Sequence, residues 1–149
     1  MGSECGTQVA CVIVVRRCAV LFVGRRGGDP QANELRVLGF NVTERDLPSD
    51  DALLLHFPVV VIASTPVGSL PMIATRLRAK AGFARRVIAA RVPDDTPATA
   101  IRALQLCGVD EPFAESASAR AIAARIARRL RERPELQCEY PELPRSPAA

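Results

Sequence analysis

The chemistry open to this 149-residue chain gathers in three places. The first is Val23-Gly-Arg-Arg-Gly-Gly28, a glycine-rich turn between an apolar run and the Asp29-Pro30 start of a helix. Main-chain N–H groups in such a turn, and the positive end of the helix behind it, attract phosphate, and Arg25 and Arg26 would help hold an anion. Glu44 or Asp46 follows about 20 residues on, near where a dinucleotide site places its ribose-binding acid. The spacing Gly-x-x-Gly-Gly departs from Gly-x-Gly-x-x-Gly, so Gly24, Arg25, Arg26, Gly27 and Gly28 form an alternative nucleotide- or anion-binding loop. The second place is Ser64-Thr65. A serine nucleophile needs a base, but the sole histidine, His56, lies in the preceding helical segment, and no Gly-x-Ser-x-Gly elbow surrounds Ser64. Hydrogen bonding in the turn before Pro66 accounts for both hydroxyls. The third place is the run Arg120, Arg125, Arg128, Arg129, Arg131 and Arg133, which is either a solvated face or a docking face.

Five cysteines (Cys5, Cys11, Cys18, Cys107, Cys138) form no CxxC pair, so zinc ligation has no support and no metal is expected. Their odd number fits reduced thiols. The net charge of +4 comes from 19 arginines and one lysine, Lys80, an imbalance that GC-rich coding explains. It favours acidic partners weakly and does not make a nucleic-acid binder. With five Phe, one Tyr and no Trp, a stacking platform for single strands is unsupported. No apolar run reaches the roughly 18 residues of a membrane span. Val9–Val23, the longest candidate, is split by Arg16 and Arg17, and the start shows neither a secretory nor a myristoylation signal. A cytoplasmic chain is the expectation.

The elements that must position these residues follow from periodicity. The apolar run at 18–23 predicts a strand buried on both faces and 59–63, the most hydrophobic, a central strand, with a more polar strand at 41–45 and further strands at 87–92 and 111–114. Between them lie helical stretches. Asp29 caps the first, which stops at Gly39; Ser49 or Asp50 starts a short second one to Phe57. Ser69 caps a third, with Leu70, Ile73, Ala74, Leu77 and Ala81 inward, Arg76, Arg78 and Lys80 outward, and Gly82 as its end. Thr96-Pro97 opens a fourth that ends at Gly108. Ser118 caps a fifth, striped by Ile122, Ile126 and Leu130. Five βα units make an α/β three-layer sandwich. Residues 1–17 form an N-terminal extension with a possible extra strand over 9–15. From Pro134 to residue 149 the prolines predict a tail or linker, and Pro141-Glu-Leu-Pro144 is only a weak ligand motif.

Five such units over residues 18–133 resemble the receiver domain of bacterial response regulators. Gly108-Val-Asp-Glu-Pro-Phe-Ala-Glu-Ser116 is similar, without a gap, to that family's Gly-Ala-x-x-Tyr-Leu-x-Lys-Pro segment. Val20-Leu-Phe-Val23 resembles its first strand, and Pro58-Val-Val-Val-Ile-Ala-Ser64 its third. The resemblance implies a flavodoxin-like sheet in the order 2-1-3-4-5.

The resemblance also implies a phosphorylation site, and here the residues depart from it. Family members hold Mg²⁺ with an acidic pair and an acceptor Asp, and steady the phosphoryl group with a hydroxyl and a Lys. In this chain the acidic pair falls at Gly24 and Arg25. The acceptor falls at Ser64, or at Ala63 or Thr65 after a one-residue slip. The hydroxyl falls near Arg91 and the Lys at Glu115. All five are replaced, which implies a pseudo-receiver: no enzyme, no cofactor, no metal and no aspartyl phosphate. An ion pair between Glu115 and Arg25 or Arg91 is expected to fill the empty corner. Such a module would act in two-component signalling by phosphorylation-independent protein–protein contact. Receivers commonly pair through their fourth and fifth helices, which implies a homodimer or partner face at Arg102, Leu106, Arg125, Arg128 and Arg129. Nucleic-acid binding by this domain alone is not expected, because the fifth helix needs its apolar stripe for the core.

Overall fold

Apolar runs too short for helices become strands here because both faces of each run can be covered. The computed structural model describes residues 18–24, 28–46, 57–63, 67–80 and 85–136. In chain order they form β1 (Ala19–Val23), α1 (Pro30–Val37), β2 (Asn41–Arg45), β3 (Val59–Ile62), α2 (Leu70–Ala79), β4 (Val87–Val92), α3 (Ala98–Leu106), β5 (Glu111–Ala114) and α4 (Ala119–Glu132). The five strands make one parallel sheet in the order β2-β1-β3-β4-β5. That is the expected doubly wound arrangement, with β3 central and buried along its whole length. The expected helix at 49–57, except Phe57, and the N-terminal extension lie outside the described residues, as does the tail beyond Leu136.

Alternate residues of each strand feed two cores. Phe22, Val59, Val61, Ala89 and Phe113 pack with Ala32 and Leu35 of α1 and with Ile122, Ile126 and Leu130 of α4. Leu21, Val23, Val60, Ile62, Ile88 and Val92 pack on the other face, with Leu70, Ala74 and Leu77 of α2 and Leu104 of α3. The spacing-four stripe expected for the last helix is thus its buried side. No helix among the described residues is long and apolar enough to cross a membrane.

Helix starts agree only in part with the caps expected. Asp29 caps α1 through Gln31 N and Ala32 N, and Ser118 caps α4 through Ala121 N. Ser69 makes no capping bond, because a 3-10 turn over Val67–Ser69 runs straight into α2 and leaves Ser69 in helical geometry. The hydroxyl of Thr96 donates to the Pro93 carbonyl, and Pro97 occupies the cap position of α3.

At the amino end of the sheet, Asp110 is gripped by two arginines. Arg78 and Arg133 each approach it at 2.6 Å, and Ile88 N–H donates to it at 2.9 Å. Arg78, expected to point to water, instead reaches back to donate to the carbonyls of Gly108 and Arg86 as well. A long guanidinium stem lets a residue on the outer side of a helix bury its head beneath it. Burial alone would raise the Asp110 pKa. The Arg133 hydrogen bond, the Ile88 N–H and the charges of Arg78 and Arg133 outweigh it and hold the carboxyl below its ordinary range. Beyond residue 133, Pro134–Leu136 form a further 3-10 turn, with Leu136 against the core and Glu135 paired to Arg85.

Candidate functional site

The carboxyl ends of the strands bring together Gly24, Ala63 and Arg91. Ala63 N–H donates to the Val23 carbonyl at 2.8 Å, and Gly24 N–H to that of Arg45 at 2.8 Å, so the sheet pairing continues one residue past β1 and β3. Arg91, the fifth residue of β4, is in register with Phe113 of β5. Strand alternation puts it on the same side as Val87 and Ala89, which is the side of α1 and α4. An arginine there would be an uncompensated buried cation unless something met it.

What meets it is the start of α1. The Asp29 carboxylate lies 2.9 Å from the Arg91 guanidinium, with side-chain exposures of 2% and 16% respectively. The same carboxylate accepts from Gln31 N at 3.0 Å and Ala32 N at 3.4 Å, the orphan donors of the helix N-terminus. Gln31 extends the link. Its amide oxygen accepts from Arg91 at 2.9 Å, and its amide nitrogen donates to the carbonyls of Glu115 (3.1 Å) and Ala117 (2.9 Å). The Arg91 guanidinium also lies over Phe22, 5.8 Å from the ring centroid. One network therefore joins β4, α1 and the turn between β5 and α4.

A second carboxylate backs the first. Glu44 on β2 is buried, accepts from Asp29 N–H at 3.4 Å and pairs with Arg36 at 2.9 Å. Arg36 also donates to the Val42 carbonyl and to Asn33, which covers part of the β2 edge. Glu44 is thus engaged by groups of its own chain, and the ribose-binding role weighed for it is taken up internally.

The expected ion pair of Glu115 with Arg91 is not the one formed. Glu115 is exposed in the turn after β5 and contributes its carbonyl, through Gln31, while Arg91 turns to Asp29. The reason is geometric. Arg91 points to the face covered by α1, and the Asp29 cap sits there with two N–H donors already fixing its orientation. Arg25, Arg26, Gly27 and Ser64 lie outside the described residues, as do Thr65 and His56. Gly24 and Gly28 bracket the turn, both with positive φ (139° and 81°). Asp29 entered the sequence reading only as a cap, and Gln31 not at all. The available signal was the cap itself: an aspartate at a helix start is oriented by one oxygen on the N–H groups there, which leaves the other oxygen to meet a nearby cation.

Among the described residues, no group of three or more His, Cys, Asp or Glu is placed to hold a metal ion. What the corner offers chemically is an anion already in position. The Asp29 carboxylate both caps α1 and meets Arg91, so those N–H groups and that guanidinium already hold an anion of the chain's own.

On the opposite flank, Leu106 is 79% exposed and Arg102 lies four residues before it on the outer side of α3. Arg125 is exposed and donates to the Pro112 carbonyl at the β5 edge. Arg128 and Arg129 both donate to Glu111, at 3.2 and 2.6 Å. Arg129 is half-buried by that contact and belongs partly to the interior, unlike the other members of the expected face.

No family model matches the chain, and no curated protein matches it significantly. Solved structures do. An atypical orphan response regulator, described as revealing a new phosphorylation-independent regulatory mechanism, is 20% identical, with a TM-score of 0.59; the match covers 76% of this chain and 95% of that one. An orphan response regulator of H. pylori is 21% identical at a TM-score of 0.56, with 77% and 99% covered. A putative response regulator from Chloroflexus aurantiacus is 15% identical at 0.57, with 78% and 99% covered. At such identities the likeness establishes the fold, which is the receiver fold that the sequence resembled.

Proposed function

We propose that this receiver fold is a pseudo-receiver: a non-catalytic, phosphorylation-independent regulatory module of the bacterial cytoplasm that acts by protein–protein contact. The observation that carries the reading is the Asp29–Arg91 pair. It sets an internal anion and cation of the described residues at the carboxyl edge of the sheet, the edge where a phosphorylatable receiver keeps acids for Mg²⁺. The carboxyl-edge positions that can be read, Gly24, Arg91 and Glu115, carry no acceptor aspartate and no phosphate-steadying lysine. Gln31 ties the filled corner to the turn that leads into α4. The corner thus stabilises one arrangement of that turn without a ligand. The contact surface in this reading is the flank of α3 and α4, at Arg102, Leu106, Arg125, Arg128 and Arg129, meeting either a partner or a second copy.

The nucleotide- or anion-binding loop remains the second reading, supported by the glycine-rich turn and disfavoured by Asp29, which already takes the N–H groups of the α1 N-terminus. One NMR titration separates the two. Mg²⁺ with beryllofluoride, a phosphoryl mimic, is expected to leave the spectrum unchanged, as is a panel of nucleotides. Shifts around Ala63 and Arg91 with the mimic would overturn the pseudo-receiver, and nucleotide shifts around Gly24 and Gly28 would install the alternative.

A further inference from the structure

We infer that the flank formed by α3, the outer edge of β5 and α4 docks an acidic protein segment with an apolar anchor, and not a second copy of this chain. The inference rests on the protein-contact reading above and names the partner's chemistry. Among the described residues β5 is an edge strand, with α3 on one face and α4 on the other. The last turn of α3 leads through Gly108 to Asp110 and Glu111, so Leu106 lies at the same end of β5 as Arg128 and Arg129. Pro112, at the middle of this edge, has no N–H to offer, and its carbonyl is taken by Arg125. Strand addition is therefore blocked, and a partner must bind by side chains.

The charges there are lopsided. Among the described residues, Arg102 has no carboxylate partner, and Arg125 donates to a neutral carbonyl. Arg128 has only a share in Glu111, whose closer contact is Arg129; Glu132 is taken by Arg129 too. The exposed acids Asp94, Asp95 and Glu115 sit in turns at the other end of the strands. The flank thus carries an exposed large apolar side chain on α3 and, across the β5 edge, guanidinium forks on α4 whose donors suit carboxylates. An apolar anchor rimmed by arginine is the composition of an interface centre. A second copy seated on the same flank by a two-fold axis would bring an equal excess of positive charge against it, whereas an acidic segment neutralises it.

The test uses the ¹⁵N-labelled full chain and a synthetic peptide of alternating glutamate and leucine, with a lysine–leucine peptide as control. The acidic peptide should shift Arg102, Leu106, Arg125 and Arg128, and its Kd should rise about tenfold between roughly 50 and 200 mM salt. Arg102→Glu with Arg125→Glu should abolish those shifts while leaving the spectrum dispersed, since both side chains are exposed; Leu106→Ser should weaken binding about tenfold. Equal binding of the lysine peptide, absence of shifts, or shifts that survive the charge reversal would overturn the inference. So would a DNA duplex binding this flank in place of the peptide. A dimer seen by light scattering and lost in the charge-reversed chain would overturn it too, while leaving the protein-contact reading intact. That reading falls instead to a response to the phosphoryl mimic.

Discussion

Asp29→Asn and Arg91→Met, made singly and together, measure the pair on which the functional reading depends. Asn caps a helix about as well as Asp, so the first substitution removes the charge and keeps the N-terminal hydrogen bonds. Met keeps much of the Arg91 stem volume over Phe22 while removing the head. Removing one partner of a buried ion pair costs about 3–5 kcal/mol when the survivor is left stranded. Neither survivor is wholly stranded here. Asp29 keeps Gln31 N and Ala32 N, and Arg91 keeps the Gln31 amide oxygen and 16% side-chain exposure. Each single variant should therefore lose about 2–3 kcal/mol. The double variant should lose less than the sum, with a coupling energy of about 1–3 kcal/mol. Urea unfolding of the four chains reads this directly. A loss of about 2 kcal/mol moves the midpoint by roughly 1 M at the slope usual for a small domain. If the two losses add to within about 0.3 kcal/mol, Asp29 and Arg91 do not meet in solution, and the internally filled corner is wrong.

Asp110→Asn should cost about 2–4 kcal/mol, because it leaves two half-buried guanidinia without their carboxylate. The folded pKa of Asp110 lies below its unfolded value, so its stabilisation is fully present above about pH 4 and fades as pH falls through the folded value. The stability gap between wild type and variant should accordingly be flat at neutral pH and narrow in acid; a gap unchanged down to about pH 2 would contradict the clamp. Gly108→Ala should cost about 2–4 kcal/mol by thermal or urea unfolding. Its φ is +113°, and a Cβ there would lie 2.6 Å from Cγ of Arg78, the residue that grips Asp110. Gly68→Ala, with nothing within 4 Å and no positive φ, should stay within about 0.5 kcal/mol and serves as the control.

The sheet was legible because burial on both faces demands unbroken apolar runs, and Ala19–Val23 and Val59–Ile62 supply them. The α4 stripe was legible because spacing four is a local property of a helix. The departure from the family's residue types at Gly24, Arg91 and Glu115 is what the resemblance implies, and it enters the proposed function as such. Ser69 misled because its type suits a cap, whereas the 3-10 turn before it decides its backbone.

Partnerships across the fold were not legible. Arg91 and Asp29 are 62 positions apart, and Arg78 and Asp110 are 32 apart. Nothing local to an arginine says which carboxylate it will meet. Its stem is long, several acids lie within reach, and the choice follows from which face of the sheet the residue occupies and which helix start covers that face. The order of residues alone determined that this chain builds a parallel five-stranded sheet in the receiver order. Only the fold, which sets the start of α1 within reach of Arg91 on β4, decided that Asp29 would be its partner, because a buried guanidinium must be met by whatever carboxylate the fold brings within hydrogen-bonding distance.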